Sequence, residues 1–182
     1  MTVIVELLGG PGCGKSTTAA GLFHILKLEG KSVELVSEWV KKWAWEEKEI
    51  LPTDQAYIFS KQMKKETDLI GKVDYIITDS PLYLSQYYGD KFSIFNMAPM
   101  LDEYLEYTAS IGVTRKVFCL GRTKPYDTRG RWTSEANAKK ADDDLKELLN
   151  SKGIVYEEIL LPDEDKPYYI AGELLGVLHG LR

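Results

Sequence analysis

The chain has 182 residues, of which 44% are hydrophobic and 28% are charged, and this fits one folded domain with an apolar core of its own. The balance excludes a disordered chain, a collagen-like chain and a coiled coil. The formal net charge of -5 makes long duplex nucleic acid an unexpected partner, because the overall field repels polyanions.

Short apolar runs alternate with longer amphipathic stretches along the sequence. The apolar runs predict strands at residues 2–8, 32–37, 73–78, 113–120 and 154–161. Helical spacing predicts helices at residues 16–28, 38–48, 53–70, 81–89, 93–110, 133–150 and 167–181. This order predicts an α/β fold in three layers, a five-stranded parallel sheet flanked by helices, within a single domain of residues 1–182. Ligands of such sheets bind at the carboxyl ends of the strands.

The segment after the first predicted strand reads GGPGCGKST over residues 9–17 and matches the pattern G-x-x-x-x-G-K-[ST] completely. In this pattern backbone N–H groups cradle a phosphate chain, and the N-terminus of the next helix faces the anion. Lys15 would reach the β- and γ-phosphates, and the hydroxyl of Ser16 would ligate Mg²⁺. We therefore predict a P-loop NTPase sandwich that binds ATP and Mg²⁺. The residues expected to contact the nucleotide are Gly10, Gly12, Cys13, Gly14, Lys15, Ser16 and Thr17.

Two carboxylates stand where predicted strands end. Asp79 ends the third strand, where a carboxylate beside the phosphate loop holds Mg²⁺ directly or through water. A helix start is the alternative, because Asp-Ser-Pro also suits a helix N-cap, with Ser80 as the capping residue. Glu38 follows the second strand, where it would orient an attacking hydroxyl or accept its proton; a solvated surface carboxylate is the alternative.

A basic loop follows the fourth predicted strand. We predict that residues 121–133 form an arginine-bearing lid over the transferring phosphoryl group, because arginine pairs with phosphate oxygens and stays charged. Arg122 is expected near the nucleotide base, whereas Arg129 and Arg131 are expected to stabilise the transition state. A solvated loop with scattered charges is the alternative.

Together these motifs resemble the P-loop kinases of nucleosides and nucleotides, such as the deoxynucleoside and thymidylate kinases, over most of the chain. The resemblance rests on the phosphate loop, Glu38 and Trp39 with Trp43 one turn on, Gln62, Asp79 and the lid. It implies that Glu38 is the catalytic base, that Gln62 reads the edge of the substrate base, and that Asp79 serves Mg²⁺.

Aromatic residues and two departures from the family pattern refine this expectation. Trp39 and Tyr83 would stack on a planar substrate, with core packing as the alternative. Ser80 stands where deoxynucleoside kinases have an arginine after the acidic residue, and the lid carries Tyr126 and Asp127. These departures resemble the compact P-loop kinase-like ATPases of bacteriophages that are related to nicotinamide-riboside kinases.

The expected function is therefore that of an ATP-dependent small-molecule kinase in nucleotide metabolism. Its acceptor would be a nucleoside, a nucleotide or a close analogue. Two alternatives stay open: a polynucleotide kinase acting on a DNA or RNA 5′ end or a modified-base hydroxyl, and a non-kinase, nucleotide-dependent regulatory ATPase. A homodimer is also an open expectation.

The remaining sequence features bear on location. Cys13 and Cys119 are too few and too far apart for a disulfide framework or a zinc site, which favours a reducing, cytoplasmic compartment, the host cytoplasm if the chain is viral. The apolar N-terminal run is short and has no basic residues before it, so neither a signal peptide nor a membrane span is expected.

Overall fold

The computed structural model describes residues 1–127 and 134–177. Each predicted apolar run forms a strand. The strands are β1 (Val3–Leu8), β2 (Val33–Val36), β3 (Tyr75–Thr78), β4 (Thr114–Leu120) and β5 (Tyr156–Ile159). They form one parallel sheet in the order β2-β3-β1-β4-β5, which confirms the predicted sheet.

The amphipathic stretches form helices. These are α1 (Lys15–Leu28), α2 (Lys41–Trp45), α3 (Asp54–Thr67), α4 (Leu82–Phe92), α5 (Ala98–Ser110), α6 (Glu135–Ser151) and α7 (Lys166–Leu175). No helix among the described residues is long and apolar enough to cross a membrane.

Helices cover both faces of the sheet, which confirms the predicted three-layer α/β architecture. On one face, α1 and α7 pack on an apolar cluster that includes Leu7 and Phe118. On the other face, α3 to α6 pack on a cluster that includes Leu8 and Leu82. Because alternate residues of a strand point to opposite faces, β1 contributes side chains to both clusters.

The central position of β1 determines where the functional segments meet. Glu6 of β1 is paired with Thr78 of β3 on one side and Val117 of β4 on the other. The segments that follow β1, β3 and β4 therefore leave the sheet at one edge, here called the carboxyl edge. This is the edge at which parallel sheets bind their ligands.

Several helix boundaries differ from the prediction, and among them α5 begins five residues later than predicted and α7 ends at Leu175, before the predicted end at residue 181. The helix predicted at residues 38–48 shrinks to the five residues of α2, which is followed by Glu47 in a left-handed conformation with φ of 53°. Helix α4 continues past Gly89 to Phe92, where the prediction ends it at residue 89. A Cβ on Gly89 would lie 2.9 Å from Cγ of Met97, so this glycine permits close packing and does not end the helix.

A charged cluster lies inside the protein, between the sheet and α3. Glu6 and Glu66 are fully buried, and the Arg115 guanidinium donates to Oε1 of Glu6 at 2.8 Å and to Oε2 of Glu66 at 3.5 Å. Burial raises the pKa of both carboxyl groups and takes that of Glu66 to about 8, although the charge of Arg115 works against this rise. A single guanidinium thus balances two carboxyl groups, and Glu66 holds its proton at neutral pH.

This cluster predicts a pH-dependent stability. The folded-state pKa of Glu66 is above its ordinary value of 4.5, so the folded protein holds a proton that the unfolded chain releases. The free energy of unfolding therefore falls as pH rises from about 4.5 to about 8, by up to ~1.4 kcal/mol per pH unit. Glu66→Gln is expected to flatten this slope in urea unfolding curves recorded at four pH values. The matched control is Glu103→Gln, on the exposed surface of α5. An unchanged slope in Glu66→Gln would place the proton elsewhere.

Candidate active site

The phosphate loop joins β1 to α1, as its pattern predicts. Gly14 immediately precedes α1 with φ of 88°, and a Cβ there would lie 2.5 Å from a carboxylate oxygen of Asp163. Only glycine fits this backbone conformation beside this neighbour. The ammonium of Lys15 donates to the carbonyls of Gly9 at 2.6 Å and Gly10 at 3.1 Å. The loop is thus folded around its own lysine at the carboxyl edge.

Ser16 and Asp79, the two predicted metal ligands, are in direct contact. Oγ of Ser16 donates to Oδ2 of Asp79 at 2.6 Å. The other carboxylate oxygen accepts the backbone N–H of Glu38 at 2.9 Å. A hydroxyl beside a carboxylate suits Mg²⁺, which takes one or two protein oxygens and completes its shell with waters and substrate phosphates. The described residues contain no group of three His, Cys, Asp or Glu that would hold a different metal.

The alternative role of this segment, as a helix N-cap, is not seen. Helix α4 is preceded by Pro81, and no side chain caps its N-terminus. The N–H of Ser80 instead donates to Oγ1 of Thr78 at 3.2 Å. The carboxylate of Asp79 accepts from Ser16 and from the segment after β2.

The residues after β2 lie beside this pair. Trp39 packs edge-on against Trp43 and Tyr57, with ring centroids 5.1 and 4.9 Å apart. Burial, together with the charge of Glu38, raises the pKa of the Tyr88 phenol.

The predicted substrate residues Gln62 and Tyr83 are both buried. Nε2 of Gln62 donates to Oγ1 of Thr78 at 3.3 Å and to the carbonyl of Val36 at 3.5 Å. Its Oε1 has no hydrogen-bond partner among the described residues. Tyr83 belongs to the apolar cluster under α4 and is 1% exposed, which corrects its predicted place, because it packs in the core.

Arg122 contacts the phosphate loop directly. Its guanidinium donates to the carbonyl of Pro11 and, at 2.6 Å, to a carboxylate oxygen of Asp142 on α6. The other carboxylate oxygen of Asp142 accepts the N–H of Gly10. This pair therefore links the start of the lid segment, α6 and the phosphate loop. The other lid arginines, Arg129 and Arg131, lie outside the described residues.

A buried lysine that the sequence patterns did not reveal joins three segments of the carboxyl edge. Lys166, at the start of α7, is fully buried and donates to the carbonyls of Cys13 at 3.0 Å and Gly121 at 2.7 Å, and to Asp163 at 2.6 Å. Burial opposes ionisation of Asp163, but the hydrogen bond and charge of Lys166 and the charge of Lys124 hold its pKa below the usual value. One ammonium thus links the phosphate loop, the lid segment and the segment after β5.

Two further lysines reach the edge from the opposite side. Lys41 on α2 lies 3.4 Å from Oγ of Ser16, and Lys65 on α3 donates to the carbonyl of Ser37 at 3.1 Å. The sequence signal that could have indicated Lys41 is the pair of lysines that begins three residues after Glu38. No local pattern distinguishes Lys65 from the other lysines of α3, since only the packing of the helix places it.

The profile of a family described as the AAA domain matches residues 4–164. The chain belongs to this family. This chain resembles a solved deoxyadenosine kinase from M. mycoides with bound dATP, at a TM-score of 0.54 and 17% identity, over 96% of this chain and 100% of that chain. It also resembles the crystal structure of APE1195, at a TM-score of 0.51 and 16% identity, over 97% and 96% of the two chains. No curated protein matches it.

These likenesses confirm the fold predicted for the chain, which is that of the P-loop kinases. A kinase-like P-loop architecture is therefore established for the chain. The individual roles predicted for the site residues are not tested by likeness at this level of identity.

Replacing Lys166 should show whether it holds the phosphate loop in its binding conformation or only stabilises the fold. Lys166→Met removes one partner of a buried ion pair, which typically costs ~3–5 kcal/mol, and releases two loop carbonyls. We expect a lower thermal midpoint and, well below that midpoint, about tenfold weaker binding of a non-hydrolysable ATP analogue measured by calorimetry. Lys140→Met, an exposed lysine on α6, is the matched control and should change neither. Unchanged affinity in folded Lys166→Met would limit the lysine to a stabilising role.

Proposed function

We propose that the chain is an ATP-dependent phosphotransferase that moves the γ-phosphoryl group of ATP to a nucleoside, a nucleotide or a close analogue. The observation that carries this proposal is the 2.6 Å contact between Ser16 and Asp79, with Lys15 on the adjoining turn. A P-loop lysine, a hydroxyl and a carboxylate at the end of a neighbouring strand are the parts that phosphoryl transfer requires.

The sheet order divides the site into two sides. The groups that fix the phosphate loop, Arg122 and Lys166, come from beyond β4 and β5. Glu38 and Gln62 come from the opposite side, beyond β2 and on α3. This division supports an ATP site over β1 and β4 and an acceptor site over β3 and β2.

The nucleotide side supplies binding and charge stabilisation. Backbone N–H groups of the phosphate loop and the N-terminus of α1 face the phosphates, and Lys15 exchanges its carbonyl partners for phosphate oxygens when ATP binds. When bound, Mg²⁺ would be held by Ser16 and Asp79 and would neutralise charge on the β- and γ-phosphates. Arg129 and Arg131 remain the proposed lid groups for the transferring phosphoryl.

The acceptor side supplies orientation. The buried Oε1 of Gln62 is an open hydrogen-bond acceptor for a donor group on a base. Its Nε2 already binds the sheet at Thr78, so the amide is held in one orientation. Trp39 offers an aromatic wall, and Glu38 orients the acceptor group and takes its proton where that group is a hydroxyl.

Transfer should depend on Lys15 of the phosphate loop and on Asp79 at the end of β3. Lys15→Ala and Asp79→Asn are each expected to lower kcat at least ~100-fold, because each removes charge stabilisation of the transferring group. The measurement is ADP release with panels of nucleosides and nucleotides as acceptors. Lys72→Ala, an exposed lysine before β3 at the opposite edge of the sheet, is the control and should leave kcat unchanged. ADP release that no acceptor accelerates would favour the regulatory ATPase instead.

A further inference from the structure

Two ammonium groups lie at the proposed acceptor side. Lys41 approaches Ser16 from α2, and Lys65 approaches the end of β2 from α3. In the described part of the chain neither forms an ion pair, and each has one hydrogen-bond partner for its three N–H donors. Two helices thus each bring a cation with free donors to the edge where the acceptor binds.

The other lysines near these two have partners of their own. Lys64 pairs with Asp68 on the same helix, Lys42 lies over the ring of Trp39, and Lys61 lies over the ring of Tyr57. By contrast, Lys41 contacts the hydroxyl of Ser16, and Lys65 contacts the backbone at the end of β2.

The partly buried position of Lys65 disfavours its charged form. Burial lowers the pKa of this ammonium, and the nearby carboxylate of Asp79 offsets only part of the effect. An anion bound between Lys41 and Lys65 would form charge-assisted hydrogen bonds that offset the desolvation of the Lys65 ammonium. A neutral acceptor would leave both ammonium groups beside it without a counter-charge.

We propose that the acceptor is a phosphomonoester, a nucleoside 5′-monophosphate, whose phosphate is held by Lys41 and Lys65; this inference rests on the proposed function. An oxygen of the acceptor phosphate attacks the γ-phosphorus of ATP and forms a new P–O bond. The bond from the γ-phosphorus to the bridging oxygen breaks, and its electron pair stays on the β-phosphate of ADP. The products are ADP and a nucleoside diphosphate, and no proton has to leave a dianionic acceptor.

This proposal changes the expected role of Glu38. A phosphate oxygen that already carries charge needs no base, whereas a sugar hydroxyl does. Glu38 would then orient the acceptor by binding one of its hydroxyl groups. Its replacement by glutamine should therefore affect KM more than kcat.

The test compares matched acceptors and matched lysines. The acceptors are the four deoxynucleoside and four ribonucleoside 5′-monophosphates, their parent nucleosides, and an oligonucleotide with a 5′-hydroxyl. For at least one base, we expect kcat/KM to be at least ~10-fold higher with the monophosphate than with the nucleoside. Lys41→Ala and Lys65→Ala should each raise KM for that monophosphate ~10-fold or more, since each removes a charge-assisted hydrogen bond, with KM for ATP little changed. Lys64→Ala, on the same helix, should leave both KM values near those of the unaltered chain. Glu38→Gln should lower kcat less than ~10-fold.

The contrary outcomes are distinct from one another. Faster transfer to nucleosides, or to the oligonucleotide, would overturn the phosphomonoester while keeping the proposed kinase function. A rise in KM for ATP alone in the two lysine variants would assign these ammonium groups to the nucleotide and overturn the inference. No transfer to any acceptor would overturn both. Calorimetric titration of the preferred monophosphate into the chain with a non-hydrolysable ATP analogue gives a readout independent of turnover, and weaker binding in Lys41→Ala and Lys65→Ala is the supporting result.

Discussion

The arrangement of the carboxyl edge depends on one carboxylate. Asp79 leaves β3 and accepts hydrogen bonds from the hydroxyl of Ser16 and the backbone of Glu38, so it joins the phosphate loop to the end of β2. The parallel register that sets Thr78 beside Glu6 brings it to this position. A carboxylate with both oxygens engaged is held in one orientation, which is what a metal site and a transfer site both require.

Two buried cations hold the elements that form this edge. Arg115 ties α3 to the sheet through Glu6 and Glu66, and α3 also carries Gln62 and Lys65. Lys166 ties the segments after β1, β4 and β5 together through their carbonyls and Asp163. Buried charges are costly unless paired, so these groups fix particular arrangements of the backbone. The first fixes elements of the proposed acceptor side, and the second fixes those of the proposed nucleotide side.

The distribution of charge suits a small anionic substrate better than a polymer. The chain is acidic overall, with a formal charge of -5, yet Lys15, Lys41 and Lys65 reach the small region around Ser16 and Asp79. Such a local concentration of cations attracts phosphates over a short range, while the overall field disfavours a long polyanion.

The sequence by itself determined the five strands and their parallel direction, the phosphate loop and the position of Asp79. Each of these depends on a local pattern, namely apolar periodicity, a glycine-rich turn or a polar residue at a strand end. Only the tertiary structure decided which polar groups outside those patterns reach the site. The sequence offered Tyr83 as a stacking residue, whereas the packing of α4 buries its ring in the core. Lys166 lies 153 residues from its partner Cys13, and no local pattern encodes a contact over that separation.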